Sequence, residues 1–156
     1  LIDDRLLRSV QLWSDLATLP EYVSASMVMA FVGVEGEPDT DTLFAKLRRD
    51  GKSLVLPRMV DGMIRPALPG DALIAGPHNI PEPTGVEVDV AELDLVLVPA
   101  LAFTSDGVRL GRGGGHYDRF LALCSAPTIG LCFAEQVVDE LPVELHDVRV
   151  GRILVA

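Results

Sequence analysis

The chain has 156 residues, of which 49% are hydrophobic, with charges of both signs spread along it; that fits one folded domain able to bury a core, not a disordered chain. Its 13 basic and 23 acidic residues give a formal charge of −10, which argues against non-specific nucleic-acid binding and against docking to an anionic membrane. No signal peptide is visible and the apolar runs are too short to span a bilayer, so a soluble cytoplasmic protein is expected.

Residues 3–19 place Leu6, Val10, Trp13 and Leu16 at helical spacing, and Pro20 closes that helix. Ser26 to Val32 reads as a short buried strand. EPDTDTLFAKLRRDG, residues 37–51, reads as a helix that Asp39 or Asp41 can cap and that Gly51 suits as a left-handed exit. SLVLP is a second buried strand, and RMVDGMIRPAL predicts a hairpin around Asp61-Gly62. The proline-rich residues 66–91 read either as a linker or as a folded loop walling a pocket. Asp94 to Pro99 is a nearly continuous apolar run, hence a buried strand. A glycine loop follows, then HYDRFLALC as a helix, PTIGLCF as a strand, AEQVVDEL as a helix and GRILVA as a last strand. Strands alternating with helices predict an α/β fold: a mostly parallel sheet flanked by helices, with a small β-hairpin inserted near residues 57–68. Cys124 and Cys132 belong to no CxxC or Cys/His cluster. They read as two small core residues in a reducing compartment, with no zinc site.

The glycine loop is the stretch that carries chemistry. LGRGGGHYDRF, residues 110–120, follows a buried strand and opens a helix. Ligands in open α/β sheets sit at the carboxyl ends of strands. Glycines let backbone N–H groups approach an anion closely, and those at a helix start lack internal partners. Arg109, Arg112 and Arg119 add positive charge, and Asp118 could hold magnesium through phosphate oxygens. The loop is not a dinucleotide fingerprint, which needs glycine where His116 stands. Nor is GKS at 51–53 a Walker A motif, because Lys46 occupies the position of its first glycine.

Residues 94–121, DLVLVPALAFTSDGVRLGRGGGHYDRFL, resemble the signature of the 5-formyltetrahydrofolate cyclo-ligase, or methenyltetrahydrofolate synthetase, family: a buried strand, a VPGLAF-like turn, a short hairpin, then RLGRGxGYYDR. FVGVEGEPDT, GKSLVLPRM, IPEP and LPVELHDVRV are similar to further family segments and occur in the expected order. The resemblance implies a Rossmann-like, CoA-transferase-like α/β fold and a ligase forming a C–N bond, with ATP as co-substrate, Mg2+ as metal and a reduced folate as substrate. It implies that ATP is lined by Arg109, Leu110, Gly111, Arg112, Gly113, Gly114, Gly115, His116 and Tyr117. The folate would be met by Val32, Glu37, Arg112, His116 and Tyr117. Catalysis would fall to Arg112, Tyr117 and Glu37, and the metal to Asp118 and Asp147. A monomer acting on small molecules is expected.

Each of these residues also has a plainer reading. Glu37 could be a helix-start carboxylate, Asp147 a turn cap, Tyr117 half-buried core. Three positions depart from the pattern: His116 stands where the family carries an aromatic, Gly114 where some members carry lysine, and Ala100 where the turn has glycine. The family's first helix carries a lysine and an arginine that reach ATP. The sequence is expected to begin after that helix, so Arg5 and Arg8 do not take the role. Two other readings stand beside the enzyme: a non-catalytic folate- or nucleotide-binding module, and a sugar-phosphate isomerase on a related scaffold.

Overall fold

A computed structural model describes residues 3–156. Helix α1 (Asp4–Leu16) starts where the Asp3 carboxylate accepts from the Arg5 backbone N–H, satisfying one of the donors a helix start leaves unpaired. Its buried face is Ser9, Leu12, Trp13 and Leu16; Leu6 and Val10, expected inside, are exposed. A polar residue has taken the core position. The Ser9 hydroxyl donates to the Arg5 carbonyl at 2.6 Å and accepts from the Asp39 N–H at 2.8 Å, so it is buried with its bonds made. Pro20 does end the first helical run, and it also opens the short α2 (Pro20–Val23), where its missing N–H costs nothing.

The next elements run β1 (Met27–Met29), α3 (Asp41–Arg49), β2 (Ser53–Val60), β3 (Met63–Ala67), β4 (Ile74–Ala75), β5 (Pro81–Glu82), β6 (Leu95–Val98), β7 (Ala102–Phe103) and β8 (Arg109–Leu110). Helix α4 (His116–Leu121), β9 (Thr128–Cys132) and β10 (Arg152–Val155) complete the order. Six strands form one sheet in the order β10-β9-β6-β1-β2-β3, parallel throughout except for β3. The hairpin turns on Asp61 (φ 51°) and Gly62 (φ 74°), the two positive dihedrals that an Asp-Gly turn adopts easily. It is less an insertion than the sheet's own edge, since β3 pairs with β2 along the whole of its length.

Both faces of the sheet are covered, which explains the unbroken apolar strands. In β6, Leu95 and Leu97 point into a layer with Trp13, Leu43 and Leu47, while Val96 and Val98 point into one with Phe103 and Phe120. Gly130 of β9 leaves room for the Phe103 ring: a Cβ there would stand 2.6 Å from two ring carbons.

Two segments differ from expectation or resolve it. AEQVVDEL is not an α-helix. Only Ala134–Gln136 makes a 3-10 turn, after which Val137 is extended and bridges Phe103. The buried Gln136 side chain ties this turn down, donating to the Ala100 carbonyl and accepting from the Phe133 N–H, both at 2.8 Å. The proline-rich stretch is a folded loop with a two-stranded β4–β5 ribbon, not a linker. With Phe44, Leu54 and Leu56 its residues Leu68 to Gly70 wall a cavity of about 440 Å3, whose lining includes none of the expected site residues.

Candidate active site

The chain leaves β1 for β2 on one side and later places β6 on the other. That reversal makes a crevice at the carboxyl ends of β1 and β6, where open α/β sheets bind ligands. The loop after β1 carries Val32 and Glu37, and the excursion after β6 carries β7, β8 and the glycines. They meet there: Arg112 Nη2 lies 3.7 Å from Glu37 Oε2.

Glu37 is 7% exposed. Its Oε1 accepts from the Val34 N–H at 3.1 Å, so it folds back on its own turn instead of capping α3. Burial raises its pKa above the ordinary carboxylate value; the Val34 N–H and the charges of Arg112, Arg5 and Arg109 act against that rise. Arg5 fixes this turn from outside. Its Nε donates to the Glu37 carbonyl at 2.7 Å, its Nη2 donates to the Val34 carbonyl at 3.1 Å, and it pairs with Asp39. Sequence reasoning assigned Arg5 no site role and gave no sign of this one. Arg8 is likewise committed elsewhere, to Glu135 and the Ala156 carbonyl. Val32 is half-buried and packs on the core layer beneath the crevice.

Arg109 stands at the centre. Among the described residues it makes no ion pair within 4.0 Å, and its buried Nε has no hydrogen-bond partner. Its guanidinium carbon sits 4.9 Å from the centroid of the Tyr117 ring, a cation–π contact. Burial lowers its pKa, against the acidic groups Tyr117, Asp118, Asp147 and Glu37, which surround it. Burial in turn holds the Tyr117 phenol well above its ordinary pKa, so it is a neutral donor. An unpaired buried cation favours an anion. The arrangement can therefore hold a phosphate between Arg109, Arg112 and the glycine backbone.

The loop itself runs through Gly113 (φ 97°) and Gly115 (φ 66°), conformations that side chains resist. Gly113 and Gly114 are exposed, as is Leu110. Helix α4 has only six residues, so attraction of an anion here rests on the arginines more than on a helix dipole. His116 and Arg119 both turn toward the tip of the β2–β3 hairpin. His116 Nδ1 and Arg119 Nη2 each lie 3.0 Å from the Gly62 carbonyl oxygen. That hairpin had no place in the sequence-derived site, and the Asp-Gly pair signals only a turn.

Asp118 and Asp147 come near each other through the backbone: Asp118 Oδ1 accepts from the Val148 N–H at 3.1 Å. Asp147 also caps its own turn, accepting from the Glu144 N–H at 2.8 Å. Among the described residues no group of three or more His, Cys, Asp and Glu side chains forms a metal cluster. Magnesium does not require one, since it is commonly held by one or two carboxylates together with phosphate oxygens and water. Two carboxylates beside an anion site fit that donor set.

Residues 2–156 match the sequence model of the 5-formyltetrahydrofolate cyclo-ligase family. A 5-formyltetrahydrofolate cyclo-ligase of Escherichia coli K12 is 34% identical over 89% of this chain and 82% of its own. One from Mus musculus is 30% identical over 97% of this chain and 84% of its own. The solution structure of Aquifex aeolicus 5,10-methenyltetrahydrofolate synthetase superposes with a TM-score of 0.86 at 30% identity, covering 97% of this chain and 79% of that one. A 5,10-methenyltetrahydrofolate synthetase from Mycoplasma pneumoniae, at 21% identity and a TM-score of 0.78 over 97% of this chain and 86% of that one, shares the fold.

Proposed function

The chain belongs to the 5-formyltetrahydrofolate cyclo-ligase family, and from that premise we propose how its residues divide the work. The enzyme converts 5-formyltetrahydrofolate to 5,10-methenyltetrahydrofolate. We take ATP as the co-substrate. The formyl oxygen attacks the γ-phosphorus, the bond from that phosphorus to the bridging oxygen breaks, and ADP leaves. N10 then attacks the activated formyl carbon and gives up its proton. The carbon–oxygen bond breaks and inorganic phosphate departs, leaving the five-membered ring closed.

Arg109, Arg112 and the backbone from Gly111 to Gly115 hold the phosphates, so that catalysis is positioning and charge stabilisation. Tyr117 stays protonated and braces Arg109 through its ring. Glu37 faces the folate and receives the N10 proton, a task that its raised pKa suits. Val32 and His116 border the pterin. Asp118 and Asp147 would hold Mg2+, which would supply charge neutralisation to the transferred phosphoryl group when bound. The free thiols of Cys124 and Cys132 accord with a reducing cytoplasm, and a monomer contains every residue named.

The observation that carries this reading is the approach of Arg112 to a buried Glu37 across the crevice, 3.7 Å apart. The test mixes the chain with 5-formyltetrahydrofolate and Mg-ATP and follows the near-ultraviolet band of the methenyl product. ATP-dependent growth of that band is expected. Nucleotide binding by a folded protein with no growth would make it a binding module instead.

A further inference from the structure

Arg119 carries charge next to the glycine loop, and nothing in the proposed chemistry uses it. Its side chain does not reach into the crevice. It turns back under the loop, where Nη1 donates to the Gly114 carbonyl at 2.9 Å and Nη2 donates to the Gly62 carbonyl at 3.0 Å. The loop has made room for it: a Cβ on Gly115 would stand 3.1 Å from Arg119 Nη1. His116 lies on the same carbonyl, with Nδ1 at 3.0 Å from the Gly62 oxygen and from Arg119 Nη2, and a Cβ on Gly114 would stand 2.4 Å from its Nε2.

We propose that Arg119 is a positioning residue, a two-carbonyl clamp by which the tip of the β2–β3 hairpin sets the conformation of the nucleotide loop. One guanidinium spans two backbone oxygens that belong to different elements, and among the described residues no other side-chain hydrogen bond ties Gly62 to α4 apart from His116. Guanidinium suits the job because its fork presents two donors in fixed directions, which an ammonium cannot do. The loop needs such an outside constraint. Gly113, with φ at 97°, has nothing within 4 Å of where its Cβ would be, and a run of glycines has high conformational entropy. Holding the carbonyl of Gly114 toward Arg119 leaves the loop's N–H groups free to face the crevice. The hairpin thereby becomes part of the nucleotide site.

The inference rests on the nucleotide reading of the loop, and its test has one arm that does not. In the nucleotide-free protein, Arg119→Ala should shift the backbone amide resonances of Met63 and Gly115 together, because their nitrogens share peptide units with the two clamped carbonyls. Thermal stability should change by no more than about 3 °C, as expected at an exposed side chain. In turnover, the KM for ATP should rise about tenfold while that for the folate moves less than about twofold, the loss expected from two charged hydrogen bonds that order a loop. Arg119→Lys, with one point charge and no fork, should fall between. A raised KM for ATP with unshifted Met63 and Gly115 resonances would mean that Arg119 touches phosphate directly, and would overturn the clamp. So would unchanged kinetics, or equal losses for both substrates. If the unaltered chain makes no methenyl product, the function assignment fails, and the resonances still decide the clamp.

Discussion

Glu37 shows how a single side chain can weaken a fold and serve it. Burial favours its neutral form, so its pKa in the native state is raised. Between the ordinary carboxylate value and that raised one, the native protein retains a proton that the unfolded chain has released. Stability therefore falls as pH rises through this window and stays lowered above it. Glu37→Gln keeps the shape and the acceptor for the Val34 N–H while removing the charge. It should raise the thermal midpoint by a few degrees at pH 8, with the gain fading as pH drops toward the ordinary carboxylate range; melting curves across pH check this. The same variant should lower folate turnover by about a hundredfold or more, the scale of a lost general base, with ATP affinity little changed. Equal loss of both would mean that the residue only supports its turn. The acid in EGEPDT was visible as a family-matching residue, but its burial was not. That depends on Arg5, whose place against the 34–37 backbone arises only when α1 packs there.

Elements differ in how far their residues betray them. The hairpin was plain, because Asp-Gly between apolar runs allows few other structures. Gly62→Ala should cost ~1 kcal/mol, since alanine resists a φ of 74°, and chemical denaturation would measure it. The helix assigned to AEQVVDEL failed for a physical reason. A buried amide, Gln136, finds both its partners in turn geometry, and Val137 gains a bridge to Phe103. No local pattern announces such tertiary bonds. Gly130 is a similar case: in the sequence it is one glycine in an apolar strand, and in the fold it is the space that Phe103 fills. Gly130→Ala should destabilise by ~1–3 kcal/mol through overpacking. It should also lower activity, because Phe103 anchors the excursion that carries Arg109; denaturant midpoints and turnover together would show both.

For the whole molecule, the α/β class and the parallel sheet followed from alternation and from apolar runs covered on both faces. The buried face of α1 followed only in part: Trp13 and Leu16 lie on it, while Ser9 and Leu12 stand there in place of Leu6 and Val10. Burial also governs the thiols, pushing Cys124 and Cys132 each up to about 11. At neutral pH both should react slowly with a disulfide reagent. Cys124, half-buried beyond α4, should label first through local opening, and Cys132, inside β9, only at the rate of global unfolding; time-resolved labelling with and without mild denaturant separates them. Sheet order has a consequence for how the chain comes into being. During synthesis β1, β2 and β3 emerge well before β6, yet Val28 and Met29 must pair with Leu95 and Val96. Until that partner arrives, one side of β1 is an open apolar edge able to recruit a strand from another chain. The crevice that brings Glu37 to Arg112 is thus bought with a vulnerable interval on the ribosome, and turnover reports that the interval has closed correctly.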